Sequence, residues 1–403
     1  MRTPLLILIA AIGVGAQSVP RATPESAGVS GDRLQAVTAL LRQFVTDRKI
    51  IGAVAGVARR GKVVYLEPVG LQSLETKTPM AESSLFRVYS MTKAVTAVGV
   101  MTLVEEGKLR LADPASKYLP EFKNVRVQPG TGPRRPPARD ITIEDLLLHT
   151  SGLSHRTSDQ YRQLRVRSRS DSLPQFIANI TRAPLMEDPG TRFRYSEATT
   201  VLGRIAEVVS GQSFDAFVTE RILRPLGMSD TSFWVERGAA PRLVTVYQRG
   251  PDGAPAPYEI EEVPFTRKPA LMEGAVGLVS TAMDFLRFGQ MLLNKGTLDG
   301  TRLLSASTVE AMTKNGLPEA VLQGRGGGAV GWGLANVDVV VGPGSRGYLT
   351  TVGEYGWDGS AGTFFAVDPS RELVITLMTQ NLPANPDGLR QKFKAAVVES
   401  IVN

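Results

Sequence analysis

Cysteine is absent from all 403 residues, which excludes disulfides, thiolate nucleophiles and cysteine-based zinc sites together. Histidine is nearly absent, with only His149 and His155. At that separation they do not share a helix face as the i,i+4 pair of an H-E-x-x-H zinc site does, and that motif does not occur, so no metal is expected. No G-x-S-x-G elbow exists either, which leaves a Ser-His-Asp hydrolase without a visible nucleophile. Charged residues make up only 21% of the chain, too few and too dispersed for a coiled coil or a disordered polyelectrolyte. No apolar run is long enough to span a bilayer.

The longest such run, Leu5 to Val14, follows Arg2 and leads into small residues, with Val14 and Ala16 at plausible cleavage positions. A signal peptide over residues 1–16 is therefore expected, and with it an exported, periplasmic or secreted protein. Net charge is +7, and arginines gather at Arg134, Arg135 and Arg139 and at Arg156, Arg162, Arg165, Arg167 and Arg169. No aromatic interleaving or nucleic-acid motif accompanies them, so the clusters are expected on a solvated surface, with no nucleic-acid partner.

A chain of this length exceeds what one core usually fills, so two subdomains are expected. Apolar periodicity predicts a surface helix over Ser30 to Asp47 with Ser30 as N-cap. Ala53–Ala58 and Val63–Leu66 read as a hairpin turning at Arg60-Gly61. From Ser90 to Glu106 the chain is apolar almost all round, which predicts a buried helix closed by Gly107. Between 141 and 235 helical stretches alternate with loops, Ser196–Ser210 being the clearest helix. Gly238–Pro269 reads as surface loop, and Thr281–Leu293 as helix. Thr363–Val367 and Leu373–Met378 form a second hairpin before a final helix from Leu389. The Gly-rich runs 326–331 and 342–347 match G-x-G-x-x-G but lack the strand-to-helix setting, so both are expected to be loops and no dinucleotide cofactor is implied.

Ser90-Met91-Thr92-Lys93 is the one S-x-x-K tetrapeptide, and it opens the most apolar helix. The i,i+3 spacing puts hydroxyl and amine on one face. Desolvation there lowers the lysine pKa, and the helix N-terminus acts in the same sense while favouring negative charge near Ser90, whose backbone N–H is a candidate oxyanion donor.

Two further segments, Pro189-Gly190-Thr191-Arg192-Phe193-Arg194-Tyr195-Ser196-Glu197 and Gly356-Trp357-Asp358-Gly359-Ser360-Ala361-Gly362, complete a pattern. With Pro24–Gly28, Leu146–Leu153, Arg224–Met228 and Gly277–Thr281, the chain resembles the serine β-lactamase-related superfamily, most closely its class C β-lactamase and family VIII carboxylesterase branch. The resemblance implies an α/β fold of the penicillin-binding-protein type: an antiparallel sheet flanked by helices, from 17–140 and 236–403, and an all-helical subdomain over 141–235.

The same resemblance implies Ser90 as acylated nucleophile, Lys93 and Tyr195 as proton-transfer groups, and Ser360 N–H as second oxyanion donor. Trp357, Gly359 and Glu197 become substrate contacts, and His149 is structural. Which of Lys93 and Tyr195 takes the first proton stays open, a lowered phenol pKa being one route. Two residues depart from the β-lactamases: Glu197 stands in place of Asn, and Trp357 in place of the lysine that meets a β-lactam carboxylate. The expected substrate is therefore a small carboxylic ester, with no cofactor. The alternatives are a β-lactam or D-amino-acid peptide substrate, or a catalytically silent binding protein.

Overall fold

The computed structural model describes residues 19–250, 253–325, 327–343 and 347–402. The expected signal peptide, residues 1–16, lies outside them. The N-terminal helix α1 (Gly31–Thr46) starts where Ser30 accepts a hydrogen bond from Arg33 N–H, and it buries Leu34, Val37, Leu41 and Phe44. Strands β1 (Gly52–Arg59) and β2 (Lys62–Gly70) follow. They turn through Arg60 and Gly61, both at positive φ, the conformation a tight hairpin requires.

The buried helix is α2 (Thr92–Glu105), preceded by a 3₁₀ turn over Tyr89–Met91, so Ser90 lies on the turn and Lys93 in the first helical turn. Between 141 and 235 the described elements are short helices, including Ile143–Leu147 and Leu173–Ile180, followed by the longer α3 (Ala198–Ser210). Helix α4 (Ala282–Leu293) is capped by Thr281. Strands β3 (Val330–Gly333), β4 (Val337–Val340), β5 (Tyr355–Asp358), β6 (Phe364–Asp368) and β7 (Leu373–Met378) lead to α5 (Leu389–Glu399).

The seven strands form one sheet in the order β2-β1-β7-β6-β5-β4-β3, antiparallel at every junction. Chain segments from both ends thus meet inside it, where Val57 opposes Ile375. Alternation along the strands sorts side chains between two layers. Ala53, Ala55, Val57, Ile375 and Leu377 pack under α1 and α5 with Phe44 and Phe393. Val54, Ala58, Phe365, Val367 and Val374 face Phe285, Leu286 and Phe288 of α4 and the helical region beyond. Each valine, leucine, isoleucine or phenylalanine side chain among them contributes about 1.5–3 kcal/mol on burial. Helix α4 lies so close to the sheet that a Cβ on Gly289 would stand 2.5 Å from Val374 Cγ1.

The antiparallel sheet flanked by helices is the expected fold, but two loop expectations need correction. The segment Gly238–Pro269 contains short strands, Tyr247–Arg249 and Pro255–Pro257, paired with each other and with Asn381–Leu382. The first Gly-rich run ends inside strand β3, since Val330 and Gly331 pair with Val340 and Val339. These strands are too short to show a period of their own, and Tyr247–Arg249 is also held by Asn381–Leu382, a partner distant in sequence. Residue 326 and residues 344–346 lie outside the described residues. Among the described residues no helix is long and apolar enough to cross a membrane.

Candidate active site

The 3₁₀ turn under Ser90 begins with Tyr89 at φ 41°, a left-handed conformation that a non-glycine residue adopts only when its surroundings hold it. Tyr89 is fully buried, its ring set edge-on to Phe265. One helical turn on, Lys93 is also fully buried, and its ammonium donates to Ala275 O at 3.0 Å. The segment that supplies this carbonyl runs along α2: Thr96 Oγ1 donates to Gly274 O, and Leu278 N–H donates to Thr92 Oγ1. Burial pulls the Lys93 pKa down to about 7; Glu197 and Glu273 pull it back in part, and Arg156 pushes it lower.

Tyr195 arrives just before α3, with its ring face 4.6 Å from Lys93 Nζ. It is enclosed by His149, His155, Trp332 and Trp357, at ring-centroid distances of 4.9, 5.8, 6.0 and 5.3 Å. Trp357 Nε1–H donates to the Tyr195 hydroxyl at 3.1 Å. These apolar surroundings push the phenol above its usual value, outweighing hydrogen bonds from Ser90 and Trp357. The direction is opposite to the lowered phenol pKa expected as one route from sequence, because burial disfavours the phenolate by more than the hydrogen bonds with Ser90 and Trp357 favour it. Of the two proton-transfer candidates, Lys93 is the one shifted toward its proton-accepting form.

Ser90 and Ser360 line one cleft of about 720 Å³. Gly359 sits where the end of strand β5 meets the Ser90 turn: a Cβ there would stand 2.6 Å from Val88 O and 2.3 Å from Thr363 Oγ1. Only glycine allows that approach. Neither Ser90 N–H nor Ser360 N–H has an acceptor among the described residues, so both donors are free for a ligand oxygen. The structure therefore brings Ser90, Lys93, Tyr195, Trp357, Gly359 and Ser360 together.

Glu197 is placed differently. It is 1% exposed and does not line the cleft, and its Oε1 lies 3.7 Å from Arg156 Nε. The expectation of a solvated surface holds for Arg162 and Arg165, exposed at the mouth of the cleft, but needs correction for three other arginines. Arg156 and Arg167 line the cleft half-buried, and Arg169 is completely buried over the Phe265 ring. Arg167 donates to Glu273 Oε1 and to Glu261 Oε2, both at 2.6 Å. Burial alone would push both carboxyls up, and it does so for Glu261; for Glu273 the charge and hydrogen bonds of Arg167 outweigh it and hold the carboxyl below its usual range. Arg134, Arg135 and Arg139 do stay exposed, the last two paired with Asp188 and Asp145. Periodicity in the 156–169 segment carried no sign of burial, because the partners Glu261 and Glu273 lie about a hundred residues away in the chain.

His155, Trp332 and the buried glutamates are site residues that the sequence did not single out. His155 lines the cleft beside Tyr195, and burial lowers its pKa. His149 is fully buried, with Nδ1 at 3.1 Å from Ser196 Oγ. No cluster of metal-ligating side chains occurs among the described residues.

A sheet of this topology, with a serine on the turn that opens a buried helix and a buried lysine one helical turn further on, is the framework of the penicillin-recognising serine hydrolases. The Beta-lactamase family model matches residues 37–399, and the chain belongs to that family. A Mycobacterium tuberculosis protein without an assigned role is 35% identical over 363 residues, 86% of this chain and 89% of its own. Esterase EstB of Burkholderia gladioli is 31% identical over 369 residues, covering 85% and 88%. Among solved structures, EstCE1, described as a hydrolase with promiscuous acyltransferase activity, superposes with a TM-score of 0.78 at 25% identity over 91% of this chain and 98% of that one. A class C β-lactamase does so at 0.70 and 18% identity over 93% and 98%, a likeness of fold.

Proposed function

We propose that this serine hydrolase cleaves small carboxylic esters through an acyl-enzyme on Ser90. The observation that carries the reading is Lys93: a fully buried amine with its pKa near 7, one turn from the serine and against the Tyr195 ring. As the neutral amine it takes the Ser90 proton while Oγ bonds to the ester carbonyl carbon, and the carbonyl electrons move onto oxygen facing the N–H groups of Ser90 and Ser360. The intermediate collapses by breaking the bond to the alkoxide, which leaves as alcohol with a proton from the Tyr195 hydroxyl, and Lys93 returns its proton to Tyr195. Water adds to the acyl-enzyme by the same route in reverse, releasing the acid and restoring Ser90.

Ester rather than β-lactam is supported by Trp357, whose indole stands where the β-lactamases carry a lysine, and by the likeness to Esterase EstB. Glu197 does not bear on this choice, since it faces Arg156 and does not line the cleft. Losing a charged hydrogen bond to a β-lactam carboxylate costs about 1.5–3 kcal/mol, roughly 10- to 150-fold. We expect kcat/KM for a short-chain p-nitrophenyl ester to exceed that for a chromogenic cephalosporin by at least about tenfold. Ser90→Ala should abolish turnover of both and labelling by a fluorophosphonate while leaving the melting curve unchanged. A cephalosporin preference would replace the ester reading with a β-lactamase. An unlabelled wild-type Ser90 would make the chain a silent binding protein.

A further inference from the structure

An arginine in the first turn of helix α5 reaches the end of strand β5 and the turn that follows it. Arg390 is 6% exposed. One guanidinium nitrogen donates to Asp358 Oδ2 at 2.7 Å; the other donates to Gly359 O at 3.1 Å and to Thr363 O at 3.2 Å. Gly362 N–H adds a second donor to Gly359 O, at 3.2 Å, and Gly359 N–H closes the turn onto Thr363 O at 2.8 Å.

The carbonyl of Gly359 and the N–H of Ser360 belong to one peptide group. In a trans peptide these two bonds point in opposite directions within a plane. A buried cation clamped on the carbonyl side therefore sets the direction of the N–H on the other side. Ser360 is exposed on the cleft wall beside Ser90, and its N–H has no acceptor among the described residues. The contact also polarises the peptide, since a hydrogen bond accepted by a carbonyl strengthens the donor at the other end of the same amide.

We propose that Arg390 is a positioning residue for the oxyanion donor: by holding the Gly359 carbonyl, it keeps the Ser360 N–H turned toward the oxygen that becomes charged when Ser90 is acylated. Arginine suits the task because its planar fork serves Asp358 and the two carbonyls at once, which a lysine ammonium on a single flexible stem does not reproduce. The proposal rests on the Ser90 acyl-enzyme reading. An unlabelled, inactive wild type would defeat both; a labelled, active wild type with indifferent Arg390 variants would defeat this one alone.

The test uses the full chain with Arg390→Gln and Arg390→Lys, each first compared with wild type by circular dichroism and thermal melting. Outright removal of an oxyanion donor costs about 10²- to 10³-fold in kcat, so a misdirected donor should cost about 10- to 100-fold. KM for a p-nitrophenyl ester should stay within about threefold, because the oxygen gains its charge only after binding. An arylboronic acid that forms a tetrahedral adduct with a serine should lose affinity by the same factor as kcat. Arg390→Lys keeps the charge beside Asp358 and should recover stability without recovering kcat; if Arg390→Gln does not fold, the lysine variant carries the test. A folded variant with kcat within threefold of wild type overturns the proposal. So does a loss of kcat with boronate affinity unchanged, which marks a purely structural arginine.

Discussion

The pH dependence of turnover follows from the burial of one amine. Lys93 goes from 10.5 to about 7 on folding, a difference of about 5 kcal/mol in favour of the neutral form. At pH 7 about half the molecules then carry a proton-accepting amine, against about one in 3,000 for an exposed lysine. Below pH 7 the neutral fraction falls tenfold per unit, to about 3% at pH 5.5. kcat/KM for a neutral short-chain ester, followed in a pH-stat, should therefore rise about 15-fold from pH 5.5 to 7 and only about twofold more by pH 8.5. Lys93→Arg should not restore activity to an inactive Lys93→Ala protein, since guanidinium keeps its proton. The same group leaves a mark on stability. Its folded pKa lies below the unfolded one, so unfolding takes up a proton between pH 7 and about 10. The cost of burying the ammonium is fully present below pH 7 and fades above it. Lys93→Met should be inactive yet melt higher than wild type at pH 6, with the gap closing toward pH 10. A rate that is flat or falls between pH 5.5 and 7, or activity in Lys93→Arg, would refute this reasoning.

Tyr195→Phe removes the hydroxyl that accepts from Trp357 and should lower kcat by about 10²- to 10⁴-fold, with the ring stack and the melting temperature preserved; a loss under threefold returns Tyr195 to the core. Arg167→Ala leaves Glu261 and Glu273 buried without their principal cation and should cost about 3–5 kcal/mol in denaturant unfolding at pH 8. The deficit should shrink as pH falls toward 5, because the stranded carboxyls can then be neutral; a constant deficit counts against the charge argument. We further propose export with removal of residues 1–16, so intact-mass measurement of the protein from its own host should begin at Gln17, and a chain beginning at Met1 would contradict it.

Patterns confined to neighbouring residues were legible in the chain before folding. Ser90 and Lys93 lie within one helical turn, so their common face follows from helix geometry, and the all-round apolar character of α2 already implied a buried amine. The two hairpins at Arg60-Gly61 and Pro369–Arg371 were equally local, each turn being followed by its own partner strand. Tyr195 and Trp357 came into view through resemblance and not through periodicity, since neither belongs to a helical or strand repeat that marks it out.

What the tertiary structure decided is where charges end up. The run from Arg156 to Arg169 reads as a hydrophilic surface segment because a linear chain shows its cations and not the glutamates that meet them. Folding brings Glu197, Glu261 and Glu273 against Arg156 and Arg167, and each of these ions becomes tolerable in the interior only through the others. That pairing turns Glu197 away from the substrate, tunes Lys93 and makes the arginines part of the cleft. The rise in the Tyr195 pKa has the same origin. Its sign depends on how far lost hydration outweighs the hydrogen bonds the phenol keeps, and four rings drawn from distant parts of the chain exclude the water here. Spacing along a chain sets which groups can share one element. Desolvation and Coulomb energy depend on three-dimensional neighbours, and these exist only once the sheet has closed.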